Sequence, residues 1–288
     1  MASNGLIVYA LVASKQHKKH LLILHQNALD LFASFFMVIN YALRICNIYL
    51  TGAFGYWLCT LIISGSFNGW GVCTSIINLA IITVERYLKV VHPVWSKNKL
   101  RNWMIYSAMA MAWIVSFVSS IVVGIATTGV IDGICYGFMF WASKTANIIY
   151  FVWYVLSYYV IILIIFIFCY WHILIVIRRQ ARVMAGHSAA GSSAAQAQSN
   201  QIQTNVIKTM IIVCTFCAVC YLPGYVGFMM INISPVPIPG MEVVYHLSQF
   251  LETLYMCANP FIYATKFDPV KQVLLHMIPC KKNSGQGT

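Results

Sequence analysis

Six carboxylic acids are all that this 288-residue chain carries, and three of them, Asp30, Glu85 and Glu252, lie inside long apolar runs. An ionisable group there is expensive unless something pairs with it, so each marks a place where function concentrates. Asp30 needs an ion, a water or a polar side chain beside it, or it stays protonated. Glu85 is followed directly by Arg86 and Tyr87 at the end of an apolar run. An adjacent acid and guanidinium either pair locally or release the arginine to another acceptor, which permits a switch. Glu252 precedes Asn259 by seven residues, about two helical turns, so the two share one face. It is a counter-ion for a cationic ligand or the partner of a neighbour such as His246 or Gln249.

Two prolines fall inside apolar runs, Pro223 in Cys220-Tyr221-Leu222-Pro223 and Pro260 in Asn259-Pro260-Phe261-Ile262-Tyr263. Proline removes a backbone N–H and crowds the preceding turn, so each kinks its helix. Such kinks serve as hinges or are simply tolerated in membrane helices. Of ten cysteines, Cys169, Cys214, Cys217, Cys220 and Cys257 sit in apolar runs, where a thiol behaves as a small hydrophobe.

The elements that must position these residues follow from composition. The chain is 60% hydrophobic and 8% charged, against roughly 25% charged for a soluble domain. Lipid is the solvent that fits. Stretches 21–48, 56–90, 102–125, 146–177, 204–233 and 243–265 each reach the roughly 20 apolar residues needed to cross a bilayer. A seventh, 5–14, has about half that length and reads as the inner half of a first crossing or a short interfacial segment. No secretory signal peptide is visible at Met1. A net charge of +12 would suggest nucleic acid in a soluble protein. Here, with seven crossings, 16 of the 18 Lys and Arg fall at one side's loops and helix ends, against Arg44 and Lys144 at the other. By the positive-inside rule that side is cytoplasmic and the N-terminus extracellular. The expected fold is therefore all-α, a seven-transmembrane helix bundle. Residues 186–200, small and polar, read as a flexible cytoplasmic loop. No internal repeat is obvious by eye, which counts against a transporter built from duplicated halves.

In order and spacing these pieces resemble the rhodopsin family, class A, of G-protein-coupled receptors, over almost the whole chain. Asn4, Asp30, Glu85-Arg86-Tyr87, Pro93, Trp113, Tyr170, Tyr221-Leu222-Pro223 and Asn259-Pro260-Phe261-Ile262-Tyr263 stand where that family carries its motifs. The resemblance implies a seven-transmembrane domain over 1–266 and a short amphipathic eighth helix, headed by Phe267, with a tail over 267–288. It implies coupling and activation residues at Glu85, Arg86, Tyr87, Val94, Tyr170, Tyr221, Pro223, Asn259, Pro260 and Tyr263. It also implies a disulfide from Cys59 to Cys135, unless Cys135 is free, and an allosteric sodium ion held by Asp30, Ser75 and Asn259. Cys280 is a lipidation candidate and Asn232 a glycosylation candidate, although Pro235 lies close behind its sequon. The chain departs from the pattern too. Cys59 to Arg86 spans 27 positions, two more than usual, so the outer third helix bulges or starts earlier. Ile162 replaces a fifth-helix proline, Tyr221 a tryptophan, Tyr255 an asparagine, and no acid lies near Gln203.

A retinal Schiff base would need a lysine where Thr253 stands, and an amine receptor an aspartate where Asn68 stands. Neither ligand class fits. Asn68, Tyr154, Tyr158, Tyr225, Phe228, Gln249 and Glu252 would line a ligand cavity, the aromatics being helix-packing residues otherwise. A peptide is the first expectation and a small organic molecule the second. Expected partners are a heterotrimeric G protein, arrestin and membrane lipid, with no nucleic acid, no catalytic activity and no further cofactor, at the plasma membrane. The rival readings are a receptor-like protein with lost or constitutive signalling, and a polytopic transporter or channel.

Overall fold

The computed structural model describes residues 1–15, 20–187, 194–233 and 240–266, without the side chains of 181–204, 206, 232, 233, 242 and 263–266. Its helices are α1 (Ala2–Ala13), α2 (Leu21–Ile45), α3 (Gly52–Leu58), α4 (Ser66–Val91), α5 (Pro93–Lys99), α6 (Asn102–Phe117), α7 (Val123–Thr127), α8 (Lys144–Val155), α9 (Ile161–His187), α10 (Ala194–Ile233) and α11 (Met241–Lys266). Single π-helical turns join α3 to α4 (Cys59–Ile63), α6 to α7 (Val118–Val122) and α8 to α9 (Leu156–Val160). One hairpin, β1 (Gly129–Ile131) with β2 (Ile134–Tyr136), turns at Asp132-Gly133.

Among the described residues five rods are long and apolar enough to cross a membrane: Leu21–Ile45, Gly52–Val91, Asn102–Thr127, Lys144–Gln180 and Ile207–Ile231. The run expected at 243–265 is helical within α11, but with Gln249, Glu252 and Asn259 in it α11 is not among the five. α1 has 12 residues, about 18 Å of helix. On α9, Ile161, Ile164, Phe168, Trp171 and Ile175 form an exposed apolar stripe, while Ile162, Phe166, Tyr170 and Ile173 are buried. A helix apolar on both its packed and its open face belongs in lipid.

α4 stands at the centre, packed on α2, α6 and α9 and touching α10; α10 lies along α11, and α1 lies against α2 and α11. Leu79, Ile82, Ile173, Met210, Val213 and Tyr255 fill the core between them. α2 and α4 approach closely at Gly71, where a Cβ would lie 2.9 Å from the Ala33 Cβ.

The two surplus residues between Cys59 and Arg86 are absorbed at the head of α4. Ser64 N–H donates to the Cys59 carbonyl at 2.8 Å, a bond of the wide π type. Gly65 then takes φ 83°, a left-handed backbone that glycine adopts without strain. The carbonyls freed by this break are capped from α2. The Asn40 amide donates to those of Ile62 and Ile63, and Arg44 Nη2 reaches Ile63 O at 2.9 Å.

Of the loop expected over 186–200, both flanks are helical, and residues 188–193 lie outside the described residues. α9 runs to His187 and α10 starts at Ala194. Low complexity was a poor guide here, because alanine and glutamine, which dominate the segment from 194, are strong helix formers. The eighth helix and Cys280 lie outside the described residues.

Candidate functional site

Proline chemistry organises one end of the site. Pro260 cannot donate to the carbonyl four residues back, that of Met256. Asn4 Nδ2, on α1, donates to it instead at 3.1 Å, which ties α1 to the kink in α11. Five residues before Pro223, the proline inside α10, the carbonyl of Ala218 accepts from the Tyr159 hydroxyl at 3.1 Å.

Beside Asn259, the residue before Pro260, lies Asp30 of α2, fully buried. Ser75 Oγ donates to its Oδ1 at 2.7 Å and Asn259 Nδ2 to its Oδ2 at 2.9 Å, so the three residues named as a sodium site do come together. A fourth joins them. Gln26 Nε2 donates to Asp30 Oδ1 at 3.3 Å and also to Ser75 Oγ. Two of the oxygens that would face a cation, Asp30 Oδ1 and Ser75 Oγ, are thus bridged by an amide NH2, whereas Asn259 Oδ1 is buried without a hydrogen-bond partner among the described residues; the space between Asp30 and Ser75 offers N–H protons, which do not fit a cation. Tyr255, entirely buried, lies beside the Asn259 amide and packs edge-on to Tyr221 at 5.3 Å.

The network continues through side chains that the sequence reading did not single out. Asn78 Nδ2 donates to Gln26 Oε1 at 2.8 Å, His25 Nδ1 meets Asn78 Oδ1 at 2.9 Å, and Trp113 Nε1 donates to His25 Nε2 at 2.9 Å. One polar chain therefore crosses α6, α2, α4 and α11. The available signal was the run His25-Gln26-Asn27 in an otherwise apolar helix, with Gln26 four residues before Asp30 and so on its face.

Toward the opposite end of the bundle, Glu252 is partly buried and faces Asn68. Tyr221, Tyr225 and Cys73 lie within its electrostatic reach. Neither neighbour suggested from sequence pairs with it: Gln249 Oε1 accepts from the Tyr41 hydroxyl at 3.2 Å, and exposed His246 packs on Tyr245. Asn68 Oδ1 is buried with no hydrogen-bond partner among the described residues. Tyr154 touches the rings of Tyr158, Tyr225 and Phe228. Its hydroxyl bonds to Cys73 Sγ at 2.9 Å, and that of Tyr158 to Ser119 Oγ at 2.7 Å. The aromatics thus pack the helices against one another, and of the four Tyr225 lies within electrostatic reach of Glu252. Cys59 and Cys135 form the expected disulfide. Leu50 N–H, donating to Gly133 O at 3.1 Å, also fastens the preceding loop to the hairpin.

At the far end of α4, Glu85 serves two cations. Lys89 Nζ lies 2.6 Å from its Oε1, whereas Arg86 Nε stands 3.5 Å from its Oε2 and makes no hydrogen bond among the described residues. Tyr87 turns toward α9, stacking on His172 at 6.0 Å. Pro93 begins α5, a position where its missing N–H costs nothing, and leaves Val94 on the surface, 74% exposed. Tyr170 bonds to Thr83 Oγ1 at 3.2 Å, linking α9 to α4. The side chains of Gln203, Asn232 and Tyr263 lie outside the described residues.

An apolar helical bundle with a disulfide-anchored hairpin, a buried carboxylate network and a Glu85-Arg86-Tyr87 motif at the end of its central helix is what a multi-pass membrane receptor would show. The family model of the 7 transmembrane receptors (rhodopsin family) matches residues 3–263, and the chain belongs to that family. A comparison with curated proteins gives no match.

Proposed function

We propose that this receptor crosses the plasma membrane seven times, N-terminus outside, and couples an extracellular ligand carrying a cationic or amide N–H group to a heterotrimeric G protein. A basic peptide is the first choice and a small organic cation the second. The observation that carries the ligand reading is the pairing of Glu252 with Asn68. A carboxylate and a buried amide oxygen without a donor form an acceptor-only site, and the neighbouring tyrosines offer ring faces to a cation. On the other side, exposed Val94 provides an apolar contact for the G protein, and Arg86, paired with Glu85 at 3.5 Å, a guanidinium that can be released to it. Arrestin would dock at the same face.

The test is a ligand screen on cells expressing the chain, followed by Glu252→Gln. The variant keeps the side-chain shape and loses the charge, so the potency of a cationic agonist should fall at least tenfold, about 1.4 kcal/mol, with unchanged surface amount. An agonist equally potent on both forms would remove Glu252 from the ligand site. Constitutive signalling is favoured as a second property, because Glu85 is drawn closer to Lys89 than to Arg86.

A further inference from the structure

Trp113 carries an indole N–H that can only donate, and that one fact sets the polarity of the whole buried chain. Because it donates to His25 Nε2, this nitrogen is an acceptor and the ring is neutral with its proton on Nδ1. Nδ1 then donates to Asn78 Oδ1, so Asn78 presents Nδ2 to its other neighbours, the carbonyl of Leu22 and Gln26 Oε1. Gln26 is oriented in turn: its oxygen faces Asn78, and its NH2 faces Asp30 Oδ1 and Ser75 Oγ. The reverse orientation would set an amide oxygen against a carboxylate and an amide NH2 against another.

Both donors of the Gln26 amide and one lone pair of its oxygen are used in this arrangement, and the residue is fully buried. A small cation beside Asp30 needs oxygen lone pairs aimed at it. It would instead meet two N–H protons. Admitting it would require the amide to swing away, leaving Asn78 Nδ2 with one acceptor fewer and stranding the amide's own groups in a dry core, a costly exchange.

We propose that the Gln26 amide, oriented from Trp113, fills the place of a cation beside Asp30, so that this receptor's inactive bundle is stabilised by its own side chain and does not respond to sodium. The test uses the purified full chain, without ligand or G protein, so its outcome is independent of the ligand reading above. Thermal unfolding is followed in sodium chloride and in choline chloride at equal ionic strength. The parent should unfold at the same temperature in both. Gln26→Leu, which keeps the volume and loses the amide, should unfold roughly 2–4 °C higher in sodium at concentrations well above its dissociation constant. Gln26→Ala serves as the second variant should the leucine pack badly. A parent stabilised by sodium overturns the proposal, and so does a folded variant that remains indifferent to the ion.

Discussion

His25 shows how much a single side chain settles in this bundle. Its ring receives one hydrogen bond from Trp113 and makes another to Asn78, so it carries the buried polar chain from α6 into the α2–α4 contact. His25→Phe would keep the bulk and leave a buried indole N–H and a buried amide oxygen without partners. Each such group costs about 1–3 kcal/mol, and the variant should show a markedly lower unfolding temperature than the parent; an unchanged midpoint would mean that the chain of bonds contributes nothing. Arg86 sits at the opposite extreme, where its ion pair among the described residues is that with Glu85 at 3.5 Å. Arg86→Ala should therefore leave expression and ligand binding near parental levels while G-protein activation disappears, and Val94→Asp should also uncouple, since a carboxylate resists burial in an apolar pocket. Sequence reading reached Asp30, Ser75 and Asn259 because an acid in an apolar run is conspicuous and its companions stand at family positions. It passed over Gln26, His25 and Asn78. Neutral polar residues in membrane helices carry no comparable cost signal, and which of them meet depends on helix rotation that spacing alone does not give.

Among the elements, the joint between α3 and α4 is the most informative. Two extra residues between Cys59 and Arg86 announced an irregularity, and it appears as a π-helical turn followed by a break at Gly65. What could not be read ahead was the remedy, capping of the freed carbonyls by Asn40 and Arg44 from a neighbouring helix, because it is a tertiary contact. The π-helical turn before Ile162 teaches the same lesson: the family's usual proline is absent, yet the backbone still widens at Leu156–Val160. The disulfide holds the head of this irregular segment to the hairpin. Cys59→Ser and Cys135→Ser should lower surface expression equally, and the double variant should be no worse than either; additive losses would show that each thiol acts separately. Gly71 marks a close approach of α2 and α4. Gly71→Val should reduce folded receptor sharply, since the added carbons meet Ala33 and Phe32 in a core with no free volume to receive them.

At the scale of the molecule, α4 gathers contacts from α2, α6, α9 and α10 and carries Asn68 in its first turn, Ser75 and Asn78 in its middle, and Arg86 toward its C-terminal end. A ligand bound against Asn68 and Glu252 would act on the same rod that presents Arg86 to the G protein, which is how binding on one side biases the states of the other. Membrane residence was legible from composition, and five crossing-length helices bear it out; the short α1 and polar α11 are where composition alone thins. Basal signalling belongs to this scale. A partly exposed ion pair is worth up to about 1 kcal/mol, so an arginine lacking a firm partner raises the active fraction several-fold, and Gln203→Glu, placing an acid near the base of α10, should lower ligand-free signalling at equal expression. The central claim, that this chain activates G proteins through Arg86, is tested most directly by nucleotide exchange on purified heterotrimers of each G-protein class, with the receptor in lipid nanodiscs and no ligand present. The parent should accelerate exchange on at least one class above empty nanodiscs, and Arg86→Ala should return it to that baseline. Exchange that stays at the baseline with the parent for every class, or that persists undiminished in Arg86→Ala, would contradict the account.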